Sequence, residues 1–248
     1  MRIAAISDVH GNVFALRSVL EALRTMRVDV LVNLGDHLSG GVDPAATADL
    51  LLSTPAVSVR GNHERQLLEL PRERMGASDA LAADTISAAH RQWLLDLPLS
   101  ADAAPGVLAF HGGPDDDLLY LLETVTPSGV RPATDSEVVE RLASADLDGY
   151  PLLLSGHTHL QRLLRLPSGL LVVNPGSVGM PAYRDEGPTP HVIEAGSPHA
   201  RFAVLDDDSG EWEATFHAIE YPWEDAAALA RRNGRPDVEH ALLTGRAL

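Results

Sequence analysis

Five times along this chain a short apolar run breaks off into glycine, aspartate, asparagine or histidine. Residues 3–6 give way to Ser7-Asp8-Val9-His10, and residues 28–34 to Gly35-Asp36-His37. Residues 56–59 end in Arg60-Gly61-Asn62-His63-Glu64, residues 107–110 in His111-Gly112-Gly113, and residues 152–154 in Ser155-Gly156-His157-Thr158-His159. Runs this short, apolar without alternation and bounded by turn residues, have the character of strands buried on both faces. In open α/β sheets ligands bind at the carboxyl ends of such strands. On extended backbone, positions two apart point the same way, so Asp8 and His10 are expected to project together. The five strand ends are thus expected to converge on one site.

The segments between them fit a parallel α/β unit. Asn12 is placed to cap a helix over residues 13–26, with Leu16, Val19, Leu20, Leu23 and Met26 as its apolar stripe. Asp43-Pro44 opens a second helix to about residue 52. Residues 65–97 read as a helical insertion with a break near Pro71 and a longer helix over 79–95, and no strand pattern returns before residue 106. Residues 136–147 read as helix. The grammar then changes: residues 161–166 and 170–174 flank Pro167-Ser168-Gly169, a hairpin signal. Residues 175–198 are rich in Pro and Gly and read as loop. Strands at 200–205 and 212–219 precede a helix at 224–232 and a short helical tail. A single domain over residues 1–248 is expected.

Composition closes several alternatives. There is no cysteine, which removes disulfides and thiolate chemistry, and all 19 basic residues are arginine, which removes a lysine Schiff base and a Walker-type phosphate loop. A formal charge of −16 argues against a broad nucleic-acid-binding face. No apolar run has the length of a membrane span, and Met1 leads straight into a strand, so a cytoplasmic location is expected.

The polar residues at the strand ends are Asp8, His10, Asp36, Asn62, His63, His111, His157 and His159. Oxygen and imidazole donors without sulfur suit Mn, Fe, Zn or a similar divalent ion. They are too many for one ion and fit two that share a carboxylate. Two ions ~3.5–4 Å apart can clamp the attacking and leaving oxygens of an in-line displacement, and a hydroxide between them is a nucleophile near neutral pH.

In that order and spread, Asp8-x-His10, Gly35-Asp36, Gly61-Asn62-His63-Glu64, His111-Gly112 and Gly156-His157-Thr158-His159 resemble the five motifs of calcineurin-like metallophosphoesterases. Asn174-Pro175-Gly176-Ser177 resembles a further feature of the small bacterial and archaeal phosphodiesterase-type members. The resemblance implies a four-layer α/β/β/α sandwich of two mixed sheets, with the helical insertion of residues 65–97 near the active site and residues 199–248 completing the sandwich. It assigns Asp8, His10, Asp36 and His159 to one metal and Asp36, Asn62, His111 and His157 to the other. His63 would protonate the leaving oxygen or stabilise the charged transition state, and Glu64 would orient the His63 loop. His37 and Arg60 are candidates for supporting a ligand or touching substrate. Protein Ser/Thr phosphatases of this superfamily carry Gly-Asp-x-Val-Asp-Arg-Gly, where this chain has Ser39 and Gly40 in place of the second acid and the arginine.

The expected function is therefore hydrolysis of a small phosphodiester or nucleotide, dependent on two divalent ions, with manganese the first choice in assays. A phosphomonoesterase or protein phosphatase is the alternative within that chemistry, and a catalytically silent metal-binding scaffold the alternative outside it. No membrane partner is expected, and a homo-oligomer is allowed.

Overall fold

Ile3 and Ala5 face one way, Ala4 and Ile6 the other, and all four are fully buried. That is why this strand shows no polar alternation: both of its faces are covered. The computed structural model describes residues 1–248. The chain begins β1 (Arg2–Ile6), α1 (Val13–Leu23), β2 (Val30–Asn33), α2 (Pro44–Leu52), β3 (Val57–Ser58), α3 (Asn62–Glu69), α4 (Ala77–Thr85) and α5 (Ala88–Asp96). It continues through β4 (Ser100–Ala104), β5 (Val107–Phe110), β6 (Glu123–Thr126), β7 (Gly129–Pro132), α6 (Asp135–Arg141), β8 (Leu152–Leu154), β9 (Gln161–Arg165) and β10 (Leu171–Pro175). It ends with β11 (Ala182–Asp185), β12 (His191–Glu194), β13 (Ala200–Asp206), β14 (Glu213–Ile219), α7 (Trp223–Arg232) and α8 (Pro236–Thr244).

Two five-stranded mixed sheets result, ordered β14-β13-β1-β2-β3 and β4-β5-β8-β10-β9. In the first, β1, β2 and β3 are parallel and β13 runs antiparallel to β1 and β14. In the second, β5, β8 and β10 are parallel, with β4 and β9 as antiparallel edges. Ile3, Ala5 and Val32 meet Val107, Leu152 and Val173 between the sheets. Ala4 and Ile6 join Leu16 and Val19 of α1, Ala227 of α7 and Leu242 of α8 on the outer side of the first sheet. Phe110, Leu153 and Val172 pack against Val138 of α6 beyond the second. The order helices, sheet, sheet, helix is the expected four-layer α/β/β/α sandwich. No helix is long and apolar enough to cross a membrane.

Several local expectations are corrected. The insertion is three helices and a 3₁₀ turn (Arg72–Arg74), because Ser87 caps a new helix by accepting the amide of His90 where a continuous one was expected. α3 already starts at Asn62, inside the Gly-Asn-His-Glu motif. The helix expected at 136–147 stops at Arg141. β4 precedes residue 106, and hairpins β6–β7 and β11–β12 occupy segments with no strand signal. All are short, and β4, β7 and β11 are each only partly covered, so they lack the apolar runs that mark a strand covered on both faces.

Candidate metal centre

Six residues other than glycine have positive φ: Asp8, His10, Arg27, Asp36, His157 and His159. All but Arg27 are expected ligands. Left-handed backbone costs roughly 1–2 kcal/mol for an L-residue, and such strain clusters where a site requires it. This also corrects how Asp8 and His10 come together. They do not share one side of an extended strand. Each sits on a left-handed corner after β1, held by amide bonds from Asp8 to the Gly35 carbonyl (3.0 Å) and from His10 to the Asp36 carbonyl (2.9 Å). The Gly156 amide likewise donates to the His111 carbonyl at 2.6 Å. Gly61 lies so close to the Asp36 carboxylate that a Cβ there would collide with Oδ1.

Three imidazoles are oriented by the backbone. The Nδ1 atoms of His10, His159 and His111 lie 2.6 Å from the Ser39 carbonyl, 2.7 Å from Met180 and 2.7 Å from Leu34. Donation there turns each Nε2 into the site. The Nε2 atoms of His10 and His159 stand 3.0 Å apart, a separation that needs a proton or a cation between two lone pairs. Asp8 Oδ1, 3.3 Å from His159 Nε2, is buried without a hydrogen-bond partner. Asp36 Oδ2 lies 3.3 Å from His111 Nε2 and 3.9 Å from His10 Nε2. Asn62 Oδ1 is 3.1 Å from His111 Nε2.

Donor atoms of Asp8, His10 and His159 lie within 4.8 Å of one another, as do those of Asp36, His111 and His157. A third group, His10, Asp36 and His63, joins the two. Imidazoles whose Nδ1 atoms are held by backbone carbonyls, two buried carboxylates and an orphaned oxygen are a donor set that fits divalent cations.

Charge is concentrated here. Burial opposes ionisation of Asp8, but the imidazole of His159 outweighs it and holds the carboxyl at about 2. Burial likewise opposes ionisation of Asp36, which His111 and His63 hold well below the usual carboxylate range. Burial works against a charged His111, yet Asp36 raises it to about 10. Burial and the facing His159 lower His10 to about 4, and burial with His111 lowers His157 to about 3. These carboxylates therefore stay charged at neutral pH, opposite imidazoles that a cation can deprotonate.

Around this centre the other expected residues take distinct places. Glu64 is buried, and its carboxylate accepts the amides of Asp36 (2.9 Å), His37 (2.8 Å) and Gly61 (2.9 Å). His63 donates its amide to Asp36 Oδ1 (3.0 Å) and lines a cavity of about 750 Å³ together with His10, His157 and His159. His37 and Arg60 do not line that cavity. The His37 ring is fully buried beside Trp93, with Nε2 3.0 Å from the Val59 carbonyl. Arg60 lines a neighbouring cleft. Asn174 and Ser177 brace the loops: Asn174 Nδ2 donates to the Gly156 carbonyl (2.7 Å), and Ser177 Oγ to the Asp8 carbonyl (2.8 Å).

Sequence reasoning missed Asp79 on α4, whose Oδ1 lies 2.7 Å from His63 Nδ1. It also missed Tyr120 and Tyr183, which share a 2.6 Å hydroxyl contact and set their rings on His157 and His159. Arg235, at the start of α8, reaches the same cavity. Asp79 was visible only as an acid on an alanine-rich helix, and no spacing ties it to residue 63.

The model of the calcineurin-like phosphoesterase superfamily domain matches residues 1–195. A metallophosphoesterase from Sphaerobacter thermophilus has a TM-score of 0.74 and 26% identity, with 99% of each chain covered. A hypothetical protein from Pyrococcus horikoshii OT3 has the same fold, with a TM-score of 0.74 at 17% identity over 100% of this chain and 99% of that one. An uncharacterized protein of Methanocaldococcus jannaschii is 35% identical over 66 residues, which span 27% of this chain and 27% of that protein. With the family model covering the segment that holds every expected ligand, the chain belongs to the calcineurin-like phosphoesterase superfamily, a family of metal-dependent phosphoesterases.

Proposed function

We propose that this chain hydrolyses small phosphoesters with two divalent cations in the cavity at the strand ends. The observation that carries the reading is the pair of donor clusters, Asp8–His10–His159 and Asp36–His111–His157, linked through the His10–Asp36–His63 group, with backbone-fixed imidazoles and the orphaned oxygen of Asp8. One cation would take Asp8, His10, Asp36 and His159, the other Asp36, Asn62, His111 and His157. Bound there, the cations supply polarisation of the phosphoryl oxygens and a lowered pKa for an attacking water. Manganese is the first choice for loading, and the zero cysteine count is in keeping with a cytoplasmic protein.

The chain's own residues supply the rest. His63 is pushed up to about 9: burial opposes its charge, while Asp36 and the hydrogen-bonded Asp79 favour it. It is the acid that protonates the leaving oxygen, with Nδ1 engaged by Asp79 and Nε2 as its free nitrogen. Glu64 fixes the Asp36 and Gly61 amides so that carboxylate and imidazole keep their relation. The insertion brings Ser78 and α8 brings Arg235 to the cavity wall, which limits access to small substrates. Gly40 supplies no side chain to grip a dianionic monoester, which favours a diester or nucleotide.

The test is kcat/KM of manganese-loaded protein for bis(nitrophenyl) phosphate, nitrophenyl phosphate, a dinucleotide and a phosphopeptide, with elemental analysis of the same sample. About two ions per chain and a preference for the diester or dinucleotide are expected. One ion or none at saturation overturns the dinuclear reading. A preference of tenfold or more for the monoester or phosphopeptide, ~1.4 kcal/mol in transition-state binding, overturns the substrate reading.

A further inference from the structure

The side chains around the metal centre form a closed circuit. From His63 it passes to His10 (ring centroids 5.3 Å apart), from His10 to His159 (4.8 Å) and from His159 to Tyr183 (4.7 Å). From Asn62, beside His63, it passes to His111, whose Nε2 lies 3.1 Å from Asn62 Oδ1. It continues to His157 and then to Tyr120, each step 5.1 Å between ring centroids. The 2.6 Å contact of the Tyr120 and Tyr183 hydroxyls closes it. Asn62 and His63 thus stand at one end of the centre and the tyrosine pair at the other.

The two ends differ in chemistry. At the His63 end the cavity wall is polar. Gln66 follows His63 by three residues on α3, on the same face of the helix. Ser78, next to Asp79, accepts Arg235 NH1 at 2.7 Å, so its own proton is free to donate. At the other end Leu118 is 50% exposed on the wall, and Tyr120 and Tyr183 are half-buried. The tyrosine protons are committed within the wall. His191 Nδ1 lies 2.9 Å from the Thr189 carbonyl and donates to it, so Nε2, 3.0 Å from the Tyr120 hydroxyl, accepts from Tyr120. The Tyr120 oxygen in turn accepts from Tyr183. Neither hydroxyl is left to donate to a phosphoryl oxygen. Asp185 and Glu186 follow at the mouth, with Arg184 facing Glu186 at 3.8 Å, so this end does not attract a further anion. Apolar side chains exposed on a cavity wall are best covered by an apolar part of a ligand.

We propose that the Tyr120–Tyr183 end holds an apolar, aromatic group that stays on phosphorus, while the His63 end takes a hydroxylated leaving alcohol. The inference rests on the role of His63 given above and narrows the substrate to diesters with two unlike groups. In an in-line displacement the retained ester oxygen stands at a right angle to the leaving one, so the two groups occupy different parts of the wall. The oxygen of water joins phosphorus, and a proton of that water passes to solvent. The P–O bond to the polar alcohol breaks with its electron pair on oxygen, which takes a proton from His63.

Glyceryl benzyl phosphate tests the orientation in the manganese-loaded protein. Both of its ester bonds are to primary alcohols, so chemistry alone favours neither strongly. Glycerol and benzyl phosphate are expected in about tenfold excess or more over benzyl alcohol and glycerol phosphate. Equal products, or an excess of benzyl alcohol, overturns the proposal, and this measurement needs no variant. Calorimetric titration with benzylphosphonate and methylphosphonate, whose P–C bonds resist hydrolysis, tests the same assignment without turnover. Benzylphosphonate is expected to bind the more tightly. Leu118→Gln should weaken it about fivefold or more and methylphosphonate about twofold or less, with metal content and melting temperature retained. Gln66→Leu should leave benzylphosphonate within about twofold. Equal binding of the two phosphonates by the wild-type protein, an unchanged benzylphosphonate affinity in Leu118→Gln, or a larger change in Gln66→Leu overturns the proposal. If the wild-type protein hydrolyses no phosphoester with its metals bound, the functional reading fails separately, because the titrations still decide whether the tyrosine end holds the apolar group.

Discussion

Replacing Asp79 by Asn separates the charge on the His63 partner from its shape. The Asp79 side chain is 3% exposed and its oxygen lies 2.7 Å from His63 Nδ1. Burial opposes the charge on His63, and Asp36 is the larger of the groups that favour it, with Asp79 next. Cations at the centre would take up the charge of Asp36 and leave Asp79 as the principal support of the imidazolium. A hydrogen bond to a charged group contributes ~1.5–3 kcal/mol, which corresponds to a fall of roughly one to two units in the proton affinity of His63. The active form is the protonated one, so activity falls as pH rises through this pKa. Lowering the pKa therefore moves the alkaline limb of the rate profile to lower pH by the same one to two units. At pH values above both pKa values kcat for an alkyl phosphodiester is expected to drop by the same one to two powers of ten. Nitrophenolate needs little protonation to leave, so the loss on bis(nitrophenyl) phosphate should be much smaller. The assay is kcat against pH for both substrates at saturating manganese, with metal content measured alongside. An alkaline limb that stays in place, or equal losses on both substrates, refutes the acid role. Depleted metal would place His63 among the ligands instead.

Asp36→Ala should deplete both cations and His159→Ala mainly one, read by elemental analysis after manganese loading, because the proposed ligand sets share only Asp36. Glu64→Gln removes the charge that accepts three buried amides, each such bond being worth ~1.5–3 kcal/mol and a glutamine oxygen replacing part of them. A loss of ~2–4 kcal/mol by urea denaturation is expected. Phe202→Ala empties a fully buried site against α7 and should cost ~3–5 kcal/mol in the same assay.

The apolar runs and their polar ends were legible in the sequence for one physical reason. Central parallel strands in a sandwich are covered on both faces, so β1, β5 and β8 read as unbroken apolar stretches, and the ligand-bearing loops follow where they stop. The donor types, the absence of sulfur and the capping residues Asn12 and Asp43 are local chemistry, visible without coordinates. Edge strands are not marked in this way. β4, with only two buried residues, and the hairpins β6–β7 and β11–β12 depend on their neighbours for pairing, and single-sequence patterns do not carry that dependence.

The tertiary structure decided which distant side chains share one space. No periodicity relates Asp79 to His63, Arg235 to the metal cavity, or Tyr120 to Tyr183, which lie 63 residues apart and touch only because hairpin β11–β12 folds back over the centre. Arg60 shows the same division. Its place before Gly61 in the motif is plain in the sequence. That its side chain lines an adjoining cleft and not the cavity of His10 and Asp36, with a buried and unpartnered Nε, follows from the tertiary fold around it.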